Sequence, residues 1–358
     1  MALYTWQKII TNTTTNNIVY DAVSNSVWCM ETVTSGSLFR IRASDGAYLD
    51  ANANVTNLAG ATFTGGNYYA GASGIAGRKL YVGTQQAVVR RFSADTGAFE
   101  YQYPTAYYPT SAYNAVTVND VCWFSNSAQG VPSLDGIQGF DANGNISFWS
   151  CQGGRPSYLA TDGTHIYFVC SSSSDGKVWK INPADGVVTS AVVLSATYLS
   201  AQLVSISCDG TYLWLGTGSN GYIWKVRCSD LAPIDTDGNV CTAASDGNRF
   251  ALRNGALYVS TAYSSIYDGS VIWVAPGTVE KQFEIVDPLT GYCGVTLWGP
   301  GVTSGSSKVP ILTPGYLWFP IDNGGDIWRV RLLGPNRLTT ISASLGTITG
   351  STGLAVRG

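Results

Sequence analysis

The sequence predicts an all-β chain built from tandem four-stranded antiparallel sheets, and three observations carry that prediction. Strong surface helix formers are scarce. In 358 residues Glu occurs four times (Glu31, Glu100, Glu280 and Glu284) and Lys seven times, against 41 Gly and 12% aromatic residues. That balance favours strands and turns over helices. Apolar runs of strand length also alternate with Asp-Gly, Asn-Gly and Thr-Gly dipeptides, the punctuation of hairpins. Finally, an aromatic residue recurs at the interval of one four-stranded unit, typically ~40 to 45 residues.

The repeat is clearest in two blocks. In residues 161–194, Tyr167 opens a β run, Val178-Trp179-Lys180 follows a polar loop, and Asp185-Gly186 makes a turn. In residues 208–233, Trp214 and Ile223-Trp224-Lys225 take the same offsets. The first aromatic can be followed as Trp28, Tyr81, Trp123, Tyr167, Trp214, Tyr258 and Trp318, with gaps of 53, 42, 44, 47, 44 and 60 residues. The apolar-aromatic-basic triplet recurs as Leu38-Phe39-Arg40 and Ile327-Trp328-Arg329, and more loosely as Val89-Arg90-Arg91, Gln138-Gly139-Phe140 and Ile272-Trp273-Val274. Turns follow at Asp45-Gly46, Thr96-Gly97, Asn143-Gly144 and Pro276-Gly277.

Seven such units predict a seven-bladed β-propeller with four-stranded antiparallel blades, in which each sheet buries its faces against its neighbours. A chain this long exceeds the ~250 to 300 residues at which one core usually stops growing, as a ring of modules requires. The blades are expected at about 17–60, 61–103, 104–150, 151–195, 196–242, 243–286 and 287–342. Residues 1–16 serve ring closure: Leu3 to Ile10 reads as a strand that supplies the outer edge of the last blade. Residues 343–358 belong to a C-terminal β segment whose partner the sequence leaves open. A two-domain β-sandwich, or a ring of six or eight blades, is the alternative. The blocks at 161–194 and 208–233 resemble the YVTN, NHL and quinoprotein type of propeller repeat. They lack the Gly-His and Trp-Asp signatures of WD40 repeats, which sets that subfamily aside.

Composition narrows the function. A net charge of -3 with only 12% charged residues gives no basic footprint for nucleic acid and no polybasic patch for lipid, so neither nucleic-acid partners nor membrane insertion is expected. The opening MALYTWQKIITNTTTNN lacks the layout of a secretory signal, and no apolar run reaches ~18 residues. The expectation is a protein assembled in a cytoplasm.

Catalytic groups are sparse. His165 is the only histidine and lies in a turn entering a strand, with no GxSxG elbow to accompany it. The glutamates stand outside channel-facing strand positions: Glu31 in a loop, Glu100 after a turn, Glu280 and Glu284 near an outer strand. Most Asp residues occupy turns, where the side chain caps its own backbone. Asp235-Thr236-Asp237-Gly238-Asn239 spaces oxygens as a calcium loop does, but lacks the glycine expected at the sixth position and ends on Asp246 rather than Glu. No metal or cofactor is expected, and no catalytic residue. The eight cysteines contain no CxxC, and most fall in apolar strand patterns as small hydrophobes. Cys228 and Cys241, which flank SDLAPIDTDGNV, are the disulfide candidate.

The remaining feature is aromatic loops. Tyr68 and Tyr69 precede blade two, Tyr103, Tyr107 and Tyr108 crowd QYPTAYYPTSAY before blade three, Tyr263 and Tyr267 lie in blade six, and Tyr292 and Trp298 lie before blade seven. Blade-to-blade connections and the loops between second and third strands emerge on one face, so these rings compose a recognition surface. Three readings follow: a non-catalytic propeller in a bacteriophage virion, as a tail, host-attachment or capsid-associated component whose partners are other virion proteins; a carbohydrate-binding adhesion propeller taking surface glycan; and a lactonase- or lyase-like enzyme. The first is the expectation.

Overall fold

The computed structural model describes residues 6–10, 15–31, 37–49, 56–57, 70–84, 88–104, 115–126, 135–151, 156–170, 176–193, 203–208, 210–217, 223–234, 249–253, 256–260, 271–274, 281–285, 311–320 and 327–331. Among these, every regular element is a β-strand. After β1 (Trp6–Ile10), the strands β2 (Thr15–Asp21), β3 (Ser26–Glu31), β4 (Ser37–Arg42) and β5 (Thr56–Asn57) hydrogen-bond in that order into a first sheet. The next is β6 (Ala70–Ala76), β7 (Lys79–Thr84), β8 (Val88–Ser93) and β9 (Phe99–Pro104). It is followed by β10 (Ala115–Val118), β11 (Val121–Asn126), β12 (Gly136–Asp141) and β13 (Ile146–Ser150), then by β14 (Tyr158–Thr161), β15 (Ile166–Val169), β16 (Lys177–Ile181) and β17 (Val188–Val192). A three-stranded sheet comes next, from β18 (Leu203–Cys208), β19 (Tyr212–Thr217) and β20 (Ile223–Arg227). Its outer edge carries one isolated bridge, Val226 to Pro233. Then come β21 (Arg249–Arg253), β22 (Ala256–Ser260), β23 (Val271–Val274) and β24 (Lys281–Ile285). The last strands are β25 (Ile311–Thr313), β26 (Tyr316–Pro320) and β27 (Ile327–Arg331), and here β1 pairs antiparallel with β27, Trp6 opposite Val330.

Apart from the β18–β20 sheet, which has three strands among the described residues where four are expected, the antiparallel sheets are four-stranded as expected, and the turn chemistry explains why. Gly77-Arg78 and Asn119-Asp120 connect their strands with φ of 52° and 60°, and 51° and 59°. Two successive left-handed residues make the turn whose twist matches paired strands. Glu31 differs from its loop expectation by ending β3, opposite Thr15. The tail from Ile341 to Val356 and the turn at Pro276-Gly277 lie outside the described residues.

Where side chains are described, the first four sheets bury both faces, and strand alternation assigns each face to a different neighbour. On β3, Val27 and Cys29 pack with Trp318 and Ile327 of the last sheet, whereas Trp28 and Met30 pack with Leu80, Val82 and Phe92 of the second. On β7, Tyr81 points the other way from Leu80 and Val82, into a cluster with Cys122, Phe124 and Phe140 of the third sheet. Trp123 continues the series against Leu159, Ile166 and Phe168, and Tyr167 against Leu213, Leu215 and Trp224. Trp28, Tyr81, Trp123 and Tyr167, recurrent aromatics of the sequence, are thus residues that their second strands aim at the following sheet.

The third sheet departs from the aromatic-basic pattern for a steric reason. Gly139 stands opposite Trp123, and a Cβ placed there would lie 2.8 Å from the indole ring atoms. The missing side chain is the space the Trp123 ring occupies. Gly139→Ala is expected to cost about 1–3 kcal/mol by overpacking, read as a lowered urea midpoint. Trp123→Leu in the same background should recover part of the loss, because it vacates the clash.

Candidate functional site

The basic residue of each triplet has a position fixed by register. Arg40 lies opposite Trp28, Arg91 opposite Tyr81, Lys180 opposite Tyr167, Lys225 opposite Trp214 and Arg329 opposite Trp318. Cross-strand neighbours stand close enough for a cation to lie over a ring. The cationic groups of Arg40, Lys180, Lys225 and Arg329 sit 5.1, 5.7, 5.0 and 5.3 Å from the centroids of their opposite rings.

Three of these cations then reach across to the turn that follows the third strand of the neighbouring sheet. Arg40 Nη1 donates to the Asp95 carbonyl at 2.7 Å, and Lys180 Nζ to the Cys228 carbonyl at 3.1 Å. Arg329 Nη1 donates to the Ala43 carbonyl at 2.9 Å, linking the last sheet to the first. The Tyr81 hydroxyl donates to the Asp141 carbonyl in the same way, and Trp149 Nε1 donates to the Pro183 carbonyl at 3.2 Å. The turn glycines receive rings as well. Gly186 (φ +75°) lies under Trp149, and Gly144 (φ +87°) under the Tyr103 hydroxyl. Sequence reasoning locates the triplets but not this use of their charge.

The only histidine sits in a second polar group. Asp162 Oδ1 accepts the backbone N–H of Thr164 and of His165 at 2.8 and 2.7 Å. Its Oδ2 accepts the Tyr167 hydroxyl at 2.6 Å and faces His165 Nδ1 at 3.3 Å. The Tyr167 hydroxyl also reaches the Cys228 carbonyl at 3.2 Å. Burial pushes the Asp162 carboxyl up, but these donors outweigh it and hold the group below the usual carboxylate range. Burial and the Asp162 contact push the Tyr167 phenol well above its ordinary value. A carboxylate so held is ionised, and a phenol so held protonated, throughout the neutral range. Neither is poised to exchange a proton near pH 7. The arrangement shapes the turn and ties two sheets together. Among the described residues no three His, Cys, Asp or Glu side chains gather as a metal site needs.

Of the sequence-predicted recognition face, Tyr68, Tyr69, Tyr107, Tyr108, Tyr263, Tyr267, Tyr292 and Trp298 lie outside the described residues. Tyr103 is described, and it does not belong to a surface. It lies in β9 opposite Val89, buried, with its ring 5.1 Å from Phe140 and 6.3 Å from Tyr81. The prolines and tyrosines of QYPTAYYPTSAY hide the fact that the strand runs as far as Pro104. Cys228 has its described sulfur neighbour at Cys208, with Sγ atoms 3.4 Å apart, and Cys241 lies outside the described residues. The described cysteines are thiols.

One surface feature escapes the sequence reading. Tyr48, Phe99 and Ile146 each stand two residues past a turn glycine (Gly46, Gly97, Gly144) and are 41%, 41% and 48% exposed. Val187, after Gly186, is 58% exposed, and Tyr101 on the outer strand β9 is 51% exposed. Large apolar groups at matched positions on successive sheets form a rim rather than scattered exposure. The signal is present in the sequence as an apolar residue following each turn dipeptide.

No family model matches the sequence, and no curated protein matches it. Solved structures do match its fold. One is the β-propeller domain of Cps50 (Swd1) from Myceliophteria thermophila, with TM-score 0.62, 11% identity, and coverage of 92% of this chain and 100% of that one. A chain of a Mitotic Checkpoint Complex matches with TM-score 0.63 at 12% identity, over 92% of this chain and 91% of that one. The fold is that of a β-propeller. The computationally designed Ika8 protein matches too, with TM-score 0.57 and 9% identity, over 89% of this propeller and 83% of that chain.

Proposed function

We propose that the chain is a non-catalytic interaction propeller of seven blades closed into one ring, acting as a component of a multi-protein assembly. The Arg329 to Ala43 bond, the packing of Trp318 against Val27 and Cys29, and the β1–β27 pairing support the closed ring. The observation that carries the functional reading is where the polar chemistry lies. The described aromatic-basic pairs and the Asp162 group are engaged in holding sheets and turns, while apolar rims remain exposed. The name of one similar structure, a Mitotic Checkpoint Complex, is that of an assembly, which favours protein partners. The finer reading is a virion component assembled in a host cytoplasm, with repeats of the YVTN, NHL and quinoprotein type. It is supported by a composition only 12% charged and rich in Gly.

The test is sedimentation of the chain under native conditions from the material that makes it. It is expected to migrate in an assembly far above its own 38.0 kDa. The rim variant Ile146→Asp/Val187→Asp is expected to release at least tenfold more free chain with an unchanged Tm. A wild-type chain that sediments alone in native material defeats the reading. Retained assembly in the rim variant, lost instead in Tyr107→Ala/Tyr267→Ala, moves the contact to those tyrosines. Glycan binding by the free chain, abolished by those same tyrosine substitutions, replaces the assembly reading with an adhesin.

A further inference from the structure

The geometry points to Cys208 and Cys228 as a redox pair that closes to a disulfide when the chain meets a small-molecule disulfide. Cys208 ends β18 and Cys228 follows β20, so the two stand on either side of the central strand β19, 20 residues apart in sequence. Their Sγ atoms are 3.4 Å apart as thiols. A disulfide needs about 2.05 Å, roughly 1.3 Å less than here, and because β18 and β20 are not neighbours closure also draws the end of β18 and the segment after β20 together. This inference is independent of the interaction reading, since it involves neither the rim nor the loops.

The two thiols are not equivalent. Cys228 is buried, whereas Cys208 is half-buried, so Cys208 is the sulfur a reagent meets first. The Gly210 N–H donates to Cys208 Sγ at 3.3 Å. The hydrogen bond to Cys208, together with burial, pushes the Cys228 thiol far up, so Cys228 keeps its proton until a mixed disulfide stands beside it.

With oxidised glutathione, the Cys208 thiolate attacks one sulfur of the reagent. The glutathione S–S bond breaks, and one glutathione leaves and takes up a proton. Cys228 then loses its proton and attacks the Cys208 sulfur of the mixed disulfide, expelling the second glutathione. In balance, two protein thiols lose two electrons and two protons, and one glutathione disulfide becomes two thiols. The product fixes the end of β18 to the residue whose carbonyl accepts both the Tyr167 hydroxyl and Lys180 Nζ. Oxidation therefore stiffens the anchor between two neighbouring sheets.

The experiment treats the full folded chain with oxidised glutathione, blocks remaining thiols with iodoacetamide after unfolding, and maps peptides by mass spectrometry. Alkylation of Cys208 and Cys228 is expected to fall at least tenfold, with a linked Cys208–Cys228 peptide lighter by two hydrogens. Tm is expected to rise by roughly 3–6 °C and to return with dithiothreitol. Cys208→Ser should abolish both the link and the rise. A Cys228–Cys241 link, a Cys208–glutathione adduct that never resolves, or unchanged alkylation at Cys228 overturns the assignment.

Discussion

Trp28→Ala is expected to lower the unfolding free energy by about 3–5 kcal/mol, the range for emptying a large buried aromatic site. Trp28 is fully buried and packs with Met30 and Leu38 of its own sheet and with Leu80, Val82 and Phe92 of the next. Its ring also lies under Arg40, which holds the Asp95 carbonyl of that next sheet. Alanine therefore opens a cavity between two sheets and leaves the arginine strap without its platform. Urea unfolding is the measurement, and a shift of the midpoint at constant m separates lost stability from a changed unfolded state. Substitution by Phe distinguishes packing from hydrogen bonding. The Trp28 indole N–H has no partner among the described residues, so Trp28→Phe keeps most of the contact. Trp318 Nε1 donates to Thr313 Oγ1 at 2.9 Å, so Trp318→Phe should cost about 1 kcal/mol more than Trp28→Phe. Equal costs for the two would show that the indole donor adds nothing to stability.

The same residues mark the boundary between what spacing along the chain displays and what only folding creates. Trp28, Tyr81, Trp123 and Tyr167 are legible because a period of one blade is a property of spacing, and spacing is in the sequence. The opening strand is legible because Trp6 to Ile10 is an apolar-polar run that precedes the first blade's own strand. The direction of each side chain is not. Periodicity places Arg40 and Arg329 on third strands, but only the neighbouring sheet supplies the carbonyls of Asp95 and Ala43 that they reach. Gly139 reads as a defective triplet, because a sequence does not display the volume that Trp123 takes across the strand pair. Tyr103 is misplaced for a related reason. Its neighbours Pro104 and Tyr107 have loop composition, yet its burial is decided by Tyr81 and Phe140, distant in the chain. Cys228 meets Cys208 because strands β18 and β20 flank β19, a proximity created by the sheet and not displayed in the sequence.

Arg78→Met is expected to destabilise the chain by about 2–4 kcal/mol at pH 7 and by much less in acid, because removing one partner strands a buried charge. Arg78 lies in the turn between β6 and β7, yet it clasps Asp21 of the first sheet through two bonds, at 2.6 and 2.9 Å. Its Nη2 also meets Asp95 at 2.5 Å. Asp21 is only 2% exposed while the arginine side chain is 29% exposed, so the carboxylate is the partner that water cannot rescue. Burial pushes the Asp21 carboxyl up, but the hydrogen bonds from Arg78 and Ser24 and the arginine charge bring it below the usual range. A carboxylate depressed on folding adds stability in full above its unfolded value, ~3.9, and that stability fades as pH falls through that value toward the folded one. In the methionine variant only burial and the remaining hydrogen bonds act. Its Asp21 therefore titrates higher, and protonation relieves the stranded charge. Asp45, Asp141 and Asp162 are also held low, so both proteins weaken in acid. The difference between them isolates Asp21. Urea midpoints measured from pH 7 to pH 2.5 should show that difference shrinking to less than half below about pH 4. A gap that stays constant across the range would mean that Arg78 acts through packing of its stem and not through the Asp21 charge.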